Sequence, residues 1–331
     1  MSAPLLSVRD LEISFRLGTE ETAVVRDLSF DLGEGETLGI VGESGCGKSI
    51  TALSLLGLVP NPPGRVSAGQ ILFQGQDLVG ASEEQLNRIR GNEISMVFQE
   101  PMTSLNPVYT VGEQIAETAR VHFGSSRAEA WDRAIEMLKL VGIPSPEQRA
   151  HNFPHQLSGG MRQRVMIAIA LVCEPKILIA DEPTTALDVT VQAQIFDLFR
   201  ELQDKIGAAI ILITHDIGVV AQMTNRVMVM YAGRKIEEGP VSGFIRDPRH
   251  PYTRGLISCI PRLSMSPSDM PDPLFEIPGV VPAPRELGAP GCAFAPRCPH
   301  AMQRCRVQDP ALSRIGEGRA VACWLEEEVA A

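Results

Sequence analysis

The residues best suited to carry out chemistry form a glycine-rich segment at 42–49, Gly-Glu-Ser-Gly-Cys-Gly-Lys-Ser. It follows the apolar run at 37–41 and precedes a stretch with helical spacing, which predicts strand, loop and helix. Glycines let such a loop turn its N–H groups toward phosphate oxygens, while Lys48 supplies charge for the β- and γ-phosphates and Ser49 a hydroxyl for Mg²⁺. The segment predicts a nucleotide site. The expected binding residues are Gly42, Ser44, Gly45, Cys46, Gly47, Lys48, Ser49 and Ile50.

Two adjacent acids, Asp181 and Glu182, directly follow the apolar run at 177–180. Desolvating two carboxylates is costly unless a cation or a reacting water uses them. We expect Asp181 to hold Mg²⁺, directly or through water, and Glu182 to polarise the attacking water as a general base. The alternative is a pair of solvated acids at a strand end, which the phosphate loop upstream makes less favoured. His215 ends another apolar run, where a γ-phosphate contact is available.

The elements that must position these residues follow from the apolar patterns. Short runs at 6–8, 11–15, 24–30 and 37–41 predict strands with hairpin-like connections. Amphipathic spacing between about residues 90 and 160, for example at 111–122 and 128–141, predicts a helical insert. Runs at 177–180, 209–213 and 227–231 then alternate with helical stretches. We therefore expect an α/β core with a largely parallel sheet.

Composition excludes several classes of protein. The 331 residues are 44% hydrophobic and 21% charged, as in ordinary globular proteins, and carry a formal net charge of −10. An acidic balance argues against nucleic acid as the main partner, because phosphate binding favours a basic surface. No run approaches the ~20 apolar residues that span a bilayer, and the N-terminus lacks a secretory pattern. We expect a cytoplasmic chain that reaches a membrane only through partner subunits.

The composition changes after Gly239, beyond which lie fourteen of the 25 prolines. Hydrophobic periodicity fades there, so a continuous packed sheet is not expected. We predict a boundary that divides the chain into residues 1–239 and a small appended domain at 240–331.

Four of the seven cysteines, Cys292, Cys298, Cys305 and Cys323, lie in this tail with the spacing Cys-x5-Cys-x6-Cys-x17-Cys. In a reducing compartment such a cluster favours a metal site over disulfides, and a metal is a plausible organiser for a tail with little apolar material. Structural zinc usually includes a close Cys-x2–4-Cys pair, which is missing here. The wide spacing and the Cys298-Pro299 pair suit an iron–sulfur cluster better, with zinc and free thiols as alternatives.

Cys46 lies inside the phosphate loop, close to a helix N-terminus and to Lys48. Both features favour the thiolate and predict a reactive cysteine that ATP protects from alkylation. A buried and inert thiol is the alternative.

The segment Leu157-Ser-Gly-Gly-Met161 resembles the signature loop of ABC-family nucleotide-binding domains, although many members carry glutamine where Met161 stands. The other landmarks of that family stand around it in order, over about residues 6–238. They are the aromatic residue Phe15, the Q-loop residue Gln99, the D-loop Ala186-Leu-Asp188 and the switch residue His215. A plain helix N-cap is the alternative for Ser158, and both roles are compatible.

This resemblance implies a P-loop NTPase fold of the ABC type, with an antiparallel β subdomain and a helical subdomain. It implies ATP and Mg²⁺ as ligands, catalytic roles for Glu182, His215 and Gln99, and Gln99 as a further Mg²⁺ ligand. In the family two such domains pack head to tail. Ser158 and Gly160 would then serve the ATP held by a second, non-identical ATPase subunit, and Phe15, Gly159 and Asp188 are further expected nucleotide-binding residues.

The segments at 250–256, 277–279 and around Cys292, with 106–112, resemble ATPases of bacterial dipeptide, oligopeptide and nickel importers. This implies a motor subunit for peptide uptake at the cytoplasmic face of the inner membrane. Its partners would be two integral-membrane permease subunits and an extracytoplasmic solute-binding protein. Relatives with this tail also imply a [4Fe-4S] cluster. The alternatives are an importer of nickel or another small solute, a soluble ABC ATPase acting on nucleic acid or ribosomes, and a nucleotide-binding regulator without turnover.

Overall fold

The computed structural model describes residues 3–99, 104–184, 187–260, 276–283, 290–316 and 318–326. The strands are β1 Leu6–Leu17, β2 Glu20–Leu32, β3 Thr37–Val41, β4 Gly64–Phe73, β5 Gln76–Asp77, β6 Ile94–Val97, β7 Ile177–Asp181, β8 Ala209–Ile213, β9 Arg226–Tyr231, β10 Arg234–Pro240, β11 Ser313–Gly316 and β12 Arg319–Val321. The helices are α1 Lys48–Leu55, α2 Glu83–Ile89, α3 Val111–Phe123, α4 Arg127–Leu140, α5 Pro146–Arg149, α6 Gly159–Leu171, α7 Val189–Ile206, α8 Ile217–Met223, α9 Val241–Arg246, α10 Pro251–Ser258 and α11 Gln303–Val307.

The chain divides into two compact units whose segments interleave along the sequence. The first contains residues 1–5, 32–37 and 80–213, and the second contains residues 6–31, 38–79 and 214–331. No helix in the described ranges has the length and apolar character needed to cross a membrane.

The first unit combines parallel strands with a helical part. β7 runs parallel to both β6 and β8, with Ile177 opposite Ile94 on one side and Ala209 on the other. The residues of β7 and β8 are all buried, as expected of a strand covered on both faces. The parallel core expected from the alternation of strands and helices is confirmed. In the helical part, α3 packs against α4, and a capping box between Ser126 and Glu129 begins α4.

The second unit contains an antiparallel sheet in the order β2-β1-β4-β5, which confirms the antiparallel subdomain. The sequence suggested two short strands at 6–8 and 11–15, whereas the structure has the single strand β1. Its register against β4 shifts between Arg9 and Glu12, and Asp10 has a left-handed backbone with φ of 47°. A β-bulge of this kind interrupts the apolar alternation without ending the strand, so the pattern suggested a turn.

A second sheet of the same unit carries the phosphate loop. β3 and β9 are parallel, with Val41 opposite Val229, and β10 pairs antiparallel with β9 and β12. β12 also pairs with β11, so the described part of the tail adds two strands. The expectation of no packed sheet beyond Gly239 is therefore wrong. The boundary between 1–239 and 240–331 stays a prediction. It falls between the last two residues of β10, Gly239 and Pro240.

The tail also contributes to a buried core. Tyr252 and Phe294 pack edge-on against Tyr231 of β9, with ring centroids 4.7 and 5.3 Å from it. Phe244 of α9 is buried in the same cluster. These aromatic residues come singly in the sequence, without helix or strand periodicity, so the sequence pattern does not show that they form a core.

Candidate functional site

The phosphate loop of the second unit joins the buried strand β3 to α1, as the sequence predicts. Lys48 is 6% exposed, and its Nζ donates to the carbonyls of Gly42 and Glu43 at 2.8 and 3.0 Å. Ser44, Gly45 and Ser49 are exposed, while Ile50 is half-buried. The ammonium is thus held at the loop by carbonyl oxygens that phosphate oxygens can replace when a nucleotide binds.

Two glycines of this loop occupy positions that a side chain would obstruct. Gly42 has φ of 154°, and a Cβ there would lie 2.2 Å from the carbonyl oxygen of Met230. Gly47 has φ of 103°, a left-handed conformation that favours glycine, and a Cβ would lie 3.1 Å from Val25. The glycine spacing that identified the loop therefore has a steric cause in this fold.

Cys46 is fully buried, with Sγ 3.8 Å from Nζ of Lys48. Burial raises the pKa of this thiol, and the nearby ammonium of Lys48 only partly offsets that effect. The expectation of a reactive thiolate is wrong, because desolvation outweighs the positive charge. The Cys46 backbone still belongs to the loop, since its carbonyl accepts from the N–H of Gly233 at 3.0 Å.

The acid pair lies at the end of β7 in the first unit. Asp181 is 4% exposed and pairs with Ile213 of β8, whose carbonyl accepts from the N–H of Glu182 at 2.8 Å. Glu182 has φ of 46°, a strained conformation for a residue with a side chain. Nε2 of Gln99 donates to its carboxylate at 3.0 Å. The structure thus brings together two predicted catalytic residues, Gln99 and Glu182, beside a buried aspartate.

The signature segment and the D-loop form a second surface of this unit. Ser158 caps α6, with Oγ accepting from the N–H of Met161 at 3.3 Å, and Asp188 caps α7, with Oδ1 accepting from the N–H of Val191 at 2.9 Å. These residues line an open depression of about 380 Å³ with Gly159 and Gly160. Two exposed helix N-termini meet there, an arrangement that suits an anion. Ala186 of the predicted D-loop lies outside the described residues.

Two further predicted residues belong to the second unit. Phe15 is half-buried near the end of β1 and lies opposite Gly64, where a Cβ would come within 2.8 Å of the phenyl ring. The ring therefore covers a glycine. His215 is exposed, just before Asp216, which caps α8.

Sequence reasoning missed two residues that contact the phosphate loop. Arg297 binds the carboxylate of Glu43 at 2.6 and 2.9 Å, and the hydroxyl of Tyr252 accepts from the N–H of Glu43 at 2.7 Å. No sequence signal connects them, because 254 residues separate Arg297 from Glu43.

The four tail cysteines are electrostatic neighbours. Burial raises the pKa of Cys323 to about 11, and Cys292, Cys298 and Cys305 act in the same direction. The backbone N–H of Cys292 donates to the carbonyl of Cys305 at 2.8 Å. Among the described residues, which include all four cysteines, no group of three or more histidine, cysteine or acidic side chains stands ready to hold one metal ion. The thiols thus gather in one region without a closed single-ion site.

Comparison with known proteins gives two family matches. Residues 25–185 match the profile of the family described as "ABC transporter", and residues 236–305 match "Oligopeptide/dipeptide transporter, C-terminal region". The chain is 53% identical over 326 residues to the "Probable peptide ABC transporter ATP-binding protein y4tR" of Sinorhizobium fredii, covering 98% of this chain and 96% of the relative. It is 51% identical over 323 residues to "Oligopeptide transport ATP-binding protein OppD" of Bacillus subtilis, covering 97% and 88%.

Solved structures share the fold. The ATP-binding cassette MJ0796, in a dimeric post-hydrolysis state bound to ADP and Pi, is similar with a TM-score of 0.64 and 29% sequence identity. The match covers 71% of this chain and 98% of that one. CbiO1 from Clostridium perfringens, part of the ABC transporter complex cbiONQ, has a TM-score of 0.63 and 30% identity, with 75% and 93% covered.

Proposed function

Because the chain belongs to the ABC transporter family of ATP-binding proteins, we propose that it is the motor subunit of an importer that takes up peptides. The chain is an ABC-type ATPase. The observation that supports the peptide cargo best is the match of residues 236–305 to the C-terminal region of oligopeptide and dipeptide transporters. Relatives named for peptide, oligopeptide and dipeptide transport also match nearly the whole chain.

The predicted site residues have distinct roles in the proposed hydrolysis. Lys48 and the loop N–H groups bind the phosphates, and Ser49, Gln99 and Asp181 are the expected Mg²⁺ ligands. A bound Mg²⁺ would supply positive charge to offset the charge that develops on the phosphates. Glu182 accepts a proton from the attacking water, and Gln99 orients its carboxylate through the 3.0 Å hydrogen bond. We also propose that His215 contacts the γ-phosphate.

A second ATPase subunit completes each site in this proposal. The depression lined by Ser158, Gly160 and Asp188 holds no phosphate-binding lysine among its lining residues, and it offers two helix N-termini to an anion. It therefore suits the nucleotide of a partner subunit, which we propose is a different ATPase in the intact importer. Whether that partner is non-identical is tested by co-purification of the complex from its native source.

The helical part of the first unit offers a docking surface for an integral-membrane permease subunit. A groove of about 510 Å³ is lined by Val108, Tyr109, Trp131, His151 and Phe153. Val108 and Tyr109 are 72% and 54% exposed, which is unusual for large apolar side chains in a helical unit. We place a cytoplasmic permease segment there, and the chain at the cytoplasmic face of the inner membrane. Val108→Glu should release the chain from permease-containing membranes while leaving ATP binding intact.

An iron–sulfur cluster held by Cys292, Cys298, Cys305 and Cys323 is the proposed organiser of the tail. The support is the chemistry of the donor set, four thiols whose spacing along the chain lacks the close Cys-x2–4-Cys pair usual for structural zinc, and the electrostatic interaction of Cys323 with the other three. When bound, the cluster supplies structure and redox sensitivity, and it takes no part in hydrolysis. Anaerobic purification with iron, zinc and sulfide analysis tests this. A colourless protein with one zinc and no iron or sulfide contradicts the cluster.

The decisive experiment reconstitutes the chain with its permease and solute-binding partners in vesicles. Peptide-dependent ATP turnover is expected, with Lys48→Ala losing nucleotide binding and Glu182→Gln retaining bound ATP without hydrolysis. Turnover stimulated by nickel and by no peptide contradicts the peptide cargo. Near-normal steady-state turnover of Glu182→Gln contradicts the general-base assignment.

A further inference from the structure

The phosphate loop contains an acid at a position where an anion must bind. Glu43 stands between Gly42 and Ser44, and its side chain is 27% exposed. A carboxylate so close to triphosphate repels it, and the repulsion is stronger where water is partly excluded. Something in the fold has to offset this charge if ATP is to bind well.

The tail supplies that charge through Arg297. Its guanidinium binds both carboxylate oxygens of Glu43, and its side chain is only 5% exposed. The remaining donors are also used: Nε donates to the carbonyl of Pro278 at 2.8 Å, and Nη2 to that of Ile277 at 3.1 Å. The paired hydrogen bonds to the carboxylate and the bonds to backbone carbonyls hold the guanidinium in one orientation. A lysine ammonium cannot make this planar set of hydrogen bonds.

The backbone of Glu43 is held from both sides as well. Its N–H donates to the hydroxyl of the buried Tyr252, and its carbonyl accepts from Nζ of Lys48. When ATP binds, Lys48 must turn from the carbonyls of Gly42 and Glu43 to the phosphates. The contacts from Arg297 and Tyr252 do not involve Lys48, so they continue to fix the loop entrance, together with the hydrogen bond from the N–H of Cys46 to the carbonyl of Glu43 at 3.2 Å.

We infer that Arg297 and Tyr252 are positioning residues for ATP binding: the tail neutralises Glu43 and holds the entrance of the phosphate loop in its binding shape. The tail is thereby part of the nucleotide site. The inference rests on ATP binding by this loop, the activity described above.

The test measures the dissociation constant of a fluorescent ATP analogue with Mg²⁺ on the full-length chain. Arg297→Met leaves Glu43 unpaired beside the phosphates, so the dissociation constant should rise about tenfold to a hundredfold, because the carboxylate then repels the triphosphate in a partly buried site. Adding Glu43→Gln to Arg297→Met removes the repelling charge and should recover part of the affinity. High salt should reduce the defect of Arg297→Met, since screening weakens the repulsion. A structural defect alone gives neither recovery nor salt dependence.

The matched control is Arg249→Met. Arg249 is another arginine of the tail, and it pairs with Asp247 and Glu326 instead of the phosphate loop. This variant should lose thermal stability while keeping the wild-type dissociation constant. If Arg297→Met folds poorly, Arg297→Lys and Tyr252→Phe serve instead, and each should raise the dissociation constant above that of wild type.

Two outcomes overturn the inference. One is an Arg297→Met protein that is folded and binds ATP within twofold of wild type. The other is an Arg297→Met defect that Glu43→Gln leaves unchanged. Neither outcome touches the ATP-binding function itself, which Lys48→Ala tests separately.

Discussion

His250 makes the stability of the second unit depend on pH. It is 1% exposed, its Nδ1 accepts from the N–H of Tyr252 at 3.0 Å, and its ring lies 5.7 Å from that of Phe294. Burial lowers its pKa to about 3, and the positive charge of Arg254 acts in the same direction. The folded chain therefore keeps this imidazole neutral where the unfolded chain, with a pKa near 6.5, already binds a proton.

The sign and the magnitude follow from this difference. Above about pH 6.5 both states hold His250 neutral, so the group contributes no pH dependence. As pH falls below 6.5 the unfolded state gains a proton that the folded state refuses, so stability declines until about pH 3. At pH 5.5 the loss from this one group is about 1.4 kcal/mol, since one pH unit corresponds to that free energy.

The matched variant is His250→Asn, because asparagine caps a helix well and does not titrate. It keeps an acceptor for the N–H of Tyr252 at the start of α10. We would measure the free energy of unfolding by urea at pH 7.5 and 5.5. Wild type should lose about 1.4 kcal/mol more than the variant over this interval. Equal losses in the two proteins would refute the reasoning, because every other titratable group is the same in both.

The remaining predictions concern the signature segment and the buried thiol. Gly160→Ala should lower the free energy of unfolding by about 1–3 kcal/mol more than Gly159→Ala, because a Cβ on Gly160 meets Val191 at 2.8 Å while one on Gly159 meets its nearest neighbour at 4.0 Å. Adding Val191→Ala to each variant should remove the difference. Equal midpoints of thermal unfolding for Gly160→Ala and Gly159→Ala would contradict the prediction. Cys46 should resist alkylation in the native chain with and without ATP, whereas the exposed Cys259 reacts, and mass-spectrometric labelling that finds Cys46 modified first would contradict its burial.

Features determined by neighbouring residues could be predicted from the sequence. Each of these motifs lies within a few positions of an apolar run: the phosphate loop, the acid pair and the signature segment. A buried strand, β3 or β7, leads directly into the phosphate loop and into the acid pair. The N-cap alternative for Ser158 is confirmed and is compatible with nucleotide contact. Motif spacing predicted these sites because their geometry is local.

Long-range pairing could not be predicted in this way. The bulge in β1 depends on the register against β4, and the addition of β12 to β10 joins residues some eighty positions apart. The burial of Cys46 depends on the elements that cover the loop, which the local charge of Lys48 does not reveal. In each case the competing local signal was real, and a distant contact outweighed it.

Glu43 shows the same limit at the functional site itself. In the sequence it is one of the variable positions of a phosphate-binding loop, and its charge there is unfavourable for an anion. The structure removes the contradiction, because Arg297 would itself be costly to bury without a carboxylate and Glu43 would repel phosphate without a guanidinium. Each residue accounts for the other, although the tail that carries Arg297 shows no nucleotide-binding motif. The acid in the loop and the arginine in the tail are therefore best treated as one unit of the ATP site, and substitutions in either should be interpreted with the other in view.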